Sequence, residues 1–170
     1  VDLNPFIRDI PDFPKPGIVF KDITPLLADP SAFEYAISKL AAHYSKAPID
    51  AIAAAEARGF LFAAPLALHL RKPLIPLRKP GKLPYRTYSL KYALEYGEAE
   101  LHMHTDGISP GQSVLMVDDL LATGGTMAAG CQLVEQAGGK VLGCAFLVEL
   151  GFLGGRDKLG GHDVYSLVTY

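Results

Sequence analysis

A cysteine framework, an excess of charge of either sign and a membrane-length apolar run are all missing from this sequence. The only cysteines, Cys131 and Cys144, stand alone and form no C-x-x-C pair. That excludes a disulfide scaffold, a zinc ribbon and a thioredoxin-like motif, and leaves two small buried hydrophobes in a reducing, cytoplasmic setting as the expectation. Lys and Arg number 16 against 18 Asp and Glu, for a net charge of −2. No broad basic field of the kind nucleic-acid binders use can come from that balance, so local basic clusters read as site chemistry. Pro, Glu or Arg breaks each apolar stretch well before the ~20 residues of a membrane span, and no basic segment leads into an apolar one near residue 1. The expectation is a soluble protein with no membrane partner and no secretory processing. A hydrophobic fraction of 49% with 20% charged residues suits one globular domain over residues 1–170.

What is present is strongly ordered along the chain. Pro5, Pro11, Pro14, Pro16 and Pro25 alternate with Phe6, Phe13 and Phe20, so residues 1–28 read as an irregular covering segment, a small hood, with little regular helix. A helix should follow. Asp29 or Ser31 can cap it, Pro30 suits its first turn, and Ser31 with Glu34 has capping-box spacing. Phe33, Ile37, Leu40, Ala41 and Tyr44 then share one face. Ile49–Ala55 reads as a buried strand running into Glu56-Ala57-Arg58-Gly59, followed by a helical pattern from Phe60 to Leu70 and a short strand from Pro73 to Leu77. A second such unit has a strand at 114–117, a helix from Gly125 to the Gly138-Gly139 stop, and a strand over Val141–Val148. The order predicts an α/β fold, an open and mostly parallel twisted sheet with helices on both faces. Between the units lies a long connection, Arg78 to Gly97, which reads as a flexible lid. Tyr85, Tyr88, Tyr92 and Tyr96 in it have the spacing of a helical packing stripe, and a strand is possible over Ala99–His104.

The most informative stretch is Ser113 to Thr126, which passes from apolar strand to paired carboxylates to a loop of small residues. In open α/β sheets ligands bind beyond the carboxyl ends of the strands. Asp118 and Asp119 stand at that end, suitably placed to hold ribose hydroxyls or a hydrated Mg²⁺. Thr123 to Thr126 can turn tightly and wrap backbone N–H groups, two hydroxyls and a helix start around one anion. The spacing is neither that of a Walker loop nor that of a dinucleotide fingerprint. A sugar phosphate suits the sequence of groups.

Val117-Asp118-Asp119 through Ala122-Thr123-Gly124-Gly125-Thr126 resembles the phosphoribosyl-pyrophosphate (PRPP) motif of the type I phosphoribosyltransferases. Pro11 to Pro14, Gly17 to Ile23, Glu56 to Phe60, Leu94 to Gly97 and Leu147 to Leu150 extend the resemblance to the adenine phosphoribosyltransferases from end to end. It implies a glycosyltransferase of purine salvage, moving the 5-phosphoribosyl group of PRPP to adenine to give AMP and pyrophosphate. It also implies that Ala122, Thr123, Gly124, Gly125 and Thr126 hold the 5-phosphate, while Asp118 and Asp119 hold the ribose and, through water, Mg²⁺ brought with PRPP. Pyrophosphate falls to Arg58 with Glu56, Ala57 and Gly59, and to Arg78, Lys79 and Lys82 at the base of the lid. In the family some of these lid-base contacts come from a neighbouring subunit, Arg78 being the candidate here, and the family is usually homodimeric. Adenine would lie between Phe20 and Leu150, read by the backbone of Val19 and the stem of Lys21, with Glu95 handling the proton of the base. Members of the family often have a non-proline cis peptide in the 56–59 loop. Eukaryotic members usually carry Asp-Ser where Glu56-Ala57 stands and often Arg at Lys21, so the chain resembles a bacterial-type variant.

Two other readings compete. One is transfer to another base, xanthine or a pyrimidine, because the PRPP motif does not specify the base; the hood and Leu150 favour adenine. The other is a regulator that senses PRPP without catalysis, against which stand Glu95 and the lack of a basic face. Glu100, His102 and His104 alternate with Leu101 and Met103 as the outer face of a strand does.

Overall fold

The structure, a computed structural model, describes residues 1–94 and 96–170. Its centre is a sheet of five strands: β3 (Ala51–Ala55), β4 (Leu74–Leu77), β7 (Ser113–Leu121), β8 (Lys140–Glu149) and β9 (Val164–Thr169). They lie in the order β4-β3-β7-β8-β9, and every pairing is parallel. The intervening helices are α2 (Pro30–Tyr44), α3 (Arg58–Leu70) and α4 (Gly125–Gln136), and α1 (Thr24–Ala28) precedes them.

Period-two alternation sorts the strand residues between two cores. Ile52, Ala54, Leu115 and Val117 pack with α2 and α3 on one face. Ala51, Ala53, Val114, Met116 and Phe146 pack with α4 on the other. Both faces are therefore covered, which is why β3 and β7 read as continuous apolar runs. Cys131 and Cys144 are buried in the second core, their sulfurs 3.7 Å apart.

Local signals set the helix ends. The Asp29 carboxylate accepts from the Ala32 N–H at 2.8 Å, so Asp29 caps α2 and Ser31 lies within the helix. Past α4, Gly138 adopts φ +87°, the left-handed turn that ends many helices.

Three expectations change. The hood contains a two-stranded antiparallel sheet, β1 (Arg8–Ile10) with β2 (Phe20–Asp22), as well as the short α1, where the proline spacing suggested irregular chain. The tyrosine segment is a strand, not a helix: β5 (Thr87–Ala93) pairs antiparallel with β6 (Glu98–His104), and Tyr88, Leu90 and Tyr92 alternate onto the second core. Tyrosines four apart share a face in a strand as well as in a helix, and the pairing with β6 decides between them. Most of the span expected as a lid, 78–97, thus belongs to a hairpin that continues to His104.

The third change concerns β7, which does not stop at Val117 but continues through both aspartates to Leu121. It pairs with β3 only as far as Val117, opposite Ala54, whereas its pairing with β8 extends to Leu121 opposite Glu149. One edge of β7 is therefore bare of β3 from Asp118 onward, and a crevice opens there.

Beyond that crevice, the end of β8 is fixed by Glu149. Its carboxylate accepts from Arg156 Nε and Nη2 at 2.6 and 2.9 Å and from the Ser166 hydroxyl at 2.7 Å. The Arg156 hydrogen bonds, and then that of Ser166, hold this carboxyl below the usual carboxylate range although it is buried. A carboxylate so shifted stabilises the fold at neutral pH, and its contribution fades as pH falls through the lowered value. Glu149→Gln should therefore destabilise by about 1–2 kcal/mol at pH 7, a figure reduced by the solvent around Arg156. Its thermal midpoint should converge on that of wild type in acid. Parallel unfolding curves at pH 7 and below the usual carboxylate range check this; a constant gap would contradict it.

Candidate active site at the end of the central strand

Arg58 begins α3 directly beyond β3, and its Nε lies 2.8 Å from Asp119 Oδ2, so the ion pair closes the crevice between the two strand ends. Asp119 is buried at 6% exposure while the guanidinium remains about half in solvent, able to meet a ligand. Asp118 faces Gly59: a Cβ on that glycine would come within 2.8 Å of Asp118 Oδ1 and 3.4 Å of the Val117 carbonyl oxygen. Asp118 Oδ1 also accepts from the Asp119 N–H at 2.8 Å. Desolvation, then the adjacent Asp119 charge, pushes the Asp118 carboxyl well above the usual carboxylate range.

Arg58, Asp118, Asp119 and the loop from Ala122 to Thr126 line one cavity of about 210 Å³. Gly124 at φ +88° caps α4, and the first turn of that helix, with its N–H groups free of intrahelical partners, lines the cavity from Gly125 to Met127. Gly124 is required by the backbone itself, because a Cβ there would lie 2.6 Å from the Gly155 carbonyl oxygen. Gly155 in turn sits against the Ala122 carbonyl, 2.5 Å from its own would-be Cβ. The turn Gly155–Leu159, which Arg156 ties to Glu149, thus backs the loop.

A larger cavity of about 710 Å³ lies alongside, lined by Glu56, Lys79, Tyr92, Glu100 and, in common with the smaller one, Thr126. The Tyr92 and Thr126 hydroxyls are 3.3 Å apart, joining the hairpin to the start of α4. Glu56 accepts from the Lys79 N–H at 2.8 Å and from Arg78 Nε at 3.2 Å. Chiefly through the Lys79 N–H, its carboxyl is held below the usual range. The Glu56–Ala57 peptide is cis. Lys82 is exposed, bonded to the Lys79 carbonyl through its own N–H at 3.3 Å, and does not line the cavity.

The residues expected around a base are less closely gathered. The Phe20 ring lies 5.2 Å from the Arg58 guanidinium carbon, with the Phe13 ring edge-on at 5.2 Å. Leu150 is buried at the end of β8, its N–H donating to the Leu121 carbonyl at 2.9 Å. Val19 is exposed. The Lys21 ammonium turns elsewhere, to Asp9 at 2.6 Å and over the Tyr170 ring at 3.8 Å, because β2 alternates Phe20 and Lys21 to opposite sides. Glu95 lies outside the described residues.

The comparisons with known proteins agree with one another. The family model for the phosphoribosyl transferase domain matches residues 26–159. An adenine phosphoribosyltransferase of Kosmotoga olearia is 58% identical over the full length of both chains. The crystal structure of the adenine phosphoribosyltransferase from Thermoanaerobacter pseudethanolicus superposes with a TM-score of 0.96 at 55% identity, covering 99% of this chain and 98% of that one. The chain belongs to the adenine phosphoribosyltransferase family. A more distant member, that of Saccharomyces cerevisiae, is 38% identical with a TM-score of 0.91 over 97% of this chain and 96% of its own; it was solved in complex with adenine and an imino-altritol bisphosphate.

In this member of the family, Tyr92, Gly155 and the pair Glu149–Arg156 back the residues that line the cavity, a role that neither the tyrosine stripe nor the 147–150 block signalled. Asp118 and Asp119 offer oxygen donors of the type Mg²⁺ takes, but Asp119 is paired with Arg58 and Asp118 is biased toward its neutral form. That donor set fits a hydrated ion carried in by a diphosphate, and does not form a dedicated protein cage. Gly59→Ala should displace the Asp118 carboxyl without unfolding the chain. We expect kcat/KM for PRPP to fall roughly 10- to 100-fold, with far-UV circular dichroism unchanged. Wild-type kcat/KM in this variant would show that the close approach of Gly59 to Asp118 is irrelevant to the reaction.

Proposed function

We propose that the chain transfers the 5-phosphoribosyl group from PRPP to adenine, giving AMP and pyrophosphate. The observation that carries this is the Arg58–Asp119 ion pair, which joins the end of β3 to β7 beside the 122–126 loop in a chain of this family. The bond that forms joins a ring nitrogen of adenine to the anomeric carbon, and the bond that breaks joins that carbon to pyrophosphate. Positive charge grows on the ribose as the leaving group departs, as in glycoside cleavage.

The residues divide the work. The N–H groups at the start of α4 and the hydroxyls of Thr123 and Thr126 hold the 5-phosphate. Asp119, fixed by Arg58, holds ribose hydroxyls and favours the cationic sugar. Asp118, its carboxyl shifted upward by burial and the Asp119 charge, faces the same ribose hydroxyls. Arg58, the 56–59 backbone and Lys79 take the pyrophosphate, with Arg78 and Lys82 beside them. Glu56 supports this role by holding the start of the 79–82 turn. When bound with PRPP, Mg²⁺ neutralises part of the diphosphate charge, and Asp118 and Asp119 hold it through water. Adenine lies between Phe20 and Leu150 against the backbone of Val19 and Lys21, and Glu95 accepts its proton. The hairpin tip closes over both substrates and excludes water.

The reading includes a homodimer in the cytoplasm, for which the family resemblance is the support. Among the described residues no helix is long and apolar enough to cross a membrane. Light scattering should return twice the 18.2 kDa of one chain; a single chain's mass would remove the dimer.

Two assays test the activity. Adenine should be preferred over hypoxanthine by about 1–3 kcal/mol in kcat/KM, because a backbone carbonyl that accepts from the 6-amino group repels a 6-oxo group. Equal use of both bases would overturn the base assignment. Glu95→Gln should slow the single-turnover rate by ~10²–10⁴-fold with PRPP affinity retained, and a rate near wild type would take Glu95 out of the proton transfer.

A further inference from the structure

Among the described residues, the hood and the hairpin tip meet in a contact that the reaction above does not use. The Lys15 ammonium sits over the Tyr96 ring, 4.5 Å from its centroid, within the range of a cation–π interaction. Lys15 belongs to a hood loop stiffened by its own hydrogen bonds. The Ile18 N–H donates to the Lys15 carbonyl at 3.2 Å, the Phe13 N–H to the Ile18 carbonyl at 3.1 Å, and the Gly17 N–H to Asp12 Oδ1 at 2.8 Å. The same loop runs into Phe20, whose ring rests against Phe13. On the other side, Tyr96 follows β5 at a tip where the Leu94 N–H donates to the Gly97 carbonyl at 3.0 Å.

Both segments are more apolar than solvated loops usually are. Phe13, Ile18 and Val19 on the hood, and Leu94 and Tyr96 at the tip, are all exposed large hydrophobic side chains. Drawing the tip onto the hood brings these surfaces together and covers the side of the base slot formed by Phe20. A lysine suits that junction, since its ammonium binds the ring face while staying hydrated and its stem lies along apolar surface.

We propose that Lys15 is a positioning residue for adenine, latching the hood loop to the hairpin tip through the Tyr96 ring. This rests on the adenine transferase reading and adds to it a determinant of how tightly the base is held. The latch acts on the base more than on PRPP, because the PRPP contacts assigned above come from Arg58, the 56–59 backbone, residues 78–82, Asp118, Asp119 and the 122–126 loop, none of which Lys15 or Tyr96 supplies.

The test is steady-state kinetics with adenine and PRPP varied separately, on wild type, Lys15→Ala, Lys15→Arg, Tyr96→Leu and the double variant Lys15→Ala/Tyr96→Leu. Lys15→Ala should raise KM for adenine about two- to fivefold, the range for an exposed cation–π contact, with kcat and KM for PRPP unchanged. Lys15→Arg should restore wild-type KM, since a guanidinium also binds a ring face. In the double variant KM should be no higher than in Tyr96→Leu alone, as expected of two residues that act only on each other. An unchanged KM for adenine in Lys15→Ala, or effects that multiply in the double variant, would overturn the latch. If wild type itself makes no AMP from adenine, the transferase reading fails instead, which the same measurements show separately.

Discussion

The pair between the Arg58 guanidinium and the Asp119 carboxylate spans the gap left where β3 ends and β7 goes on. Buried carboxylates are costly without a partner, and Asp119 is buried at 6% exposure. Its partner comes from a separate strand–helix unit, so the two halves of the sheet can carry a charged group at their junction only when they are docked as seen here. Removing Arg58 would leave the buried Asp119 carboxylate beside a second carboxyl, Asp118, with its ion-pair partner gone. Gly59, one residue on, lets α3 come close enough for the pairing by leaving the space that Asp118 occupies.

Around this junction the loops are held by struts that cross long stretches of sequence. Glu56 anchors the 78–79 turn from the end of β3. Arg156 anchors the 155–159 turn to Glu149, and that turn supports the 122–126 loop from behind. Tyr92 ties the hairpin to Thr126. Glu56 and Glu149 stand at the ends of parallel strands and Thr126 in the first turn of α4, so each strut ends on a group whose position the fold sets beforehand. Preorganisation of this type is what stabilises a developing cation at small reorganisation cost.

The chain was legible where local chemistry and burial point the same way. The apolar run at 114–117, the acid pair and the small-residue loop pointed to the end of β7, where Asp118, Asp119 and residues 122–126 line a cavity, because such an order has few uses in a buried strand. Asp29 and Pro30 likewise marked the start of α2. The true length of β7 was hidden, since two adjacent aspartates look like the end of a strand and only the pairing with β8 carries the strand through them. The strand β5 was hidden because Tyr88 and Tyr92, four apart, share a face in a strand as well as in a helix. Lys21 was assigned its stem from the resemblance, but the register of Lys21 opposite Asp9 sends the ammonium away from Phe20. The struts at Glu56, Glu149 and Tyr92 join residues far apart in sequence and leave no periodic trace.

The central claim is that the extended end of β7 and the loop after it form the ribose-phosphate site. A crystal structure of the chain with AMP bound tests it most directly. The account predicts the phosphate within hydrogen-bond reach of the N–H groups at 123–126, the ribose hydroxyls on Asp118 and Asp119, and the base beside Phe20. A phosphate bound elsewhere, with the 122–126 loop free of ligand, would contradict it.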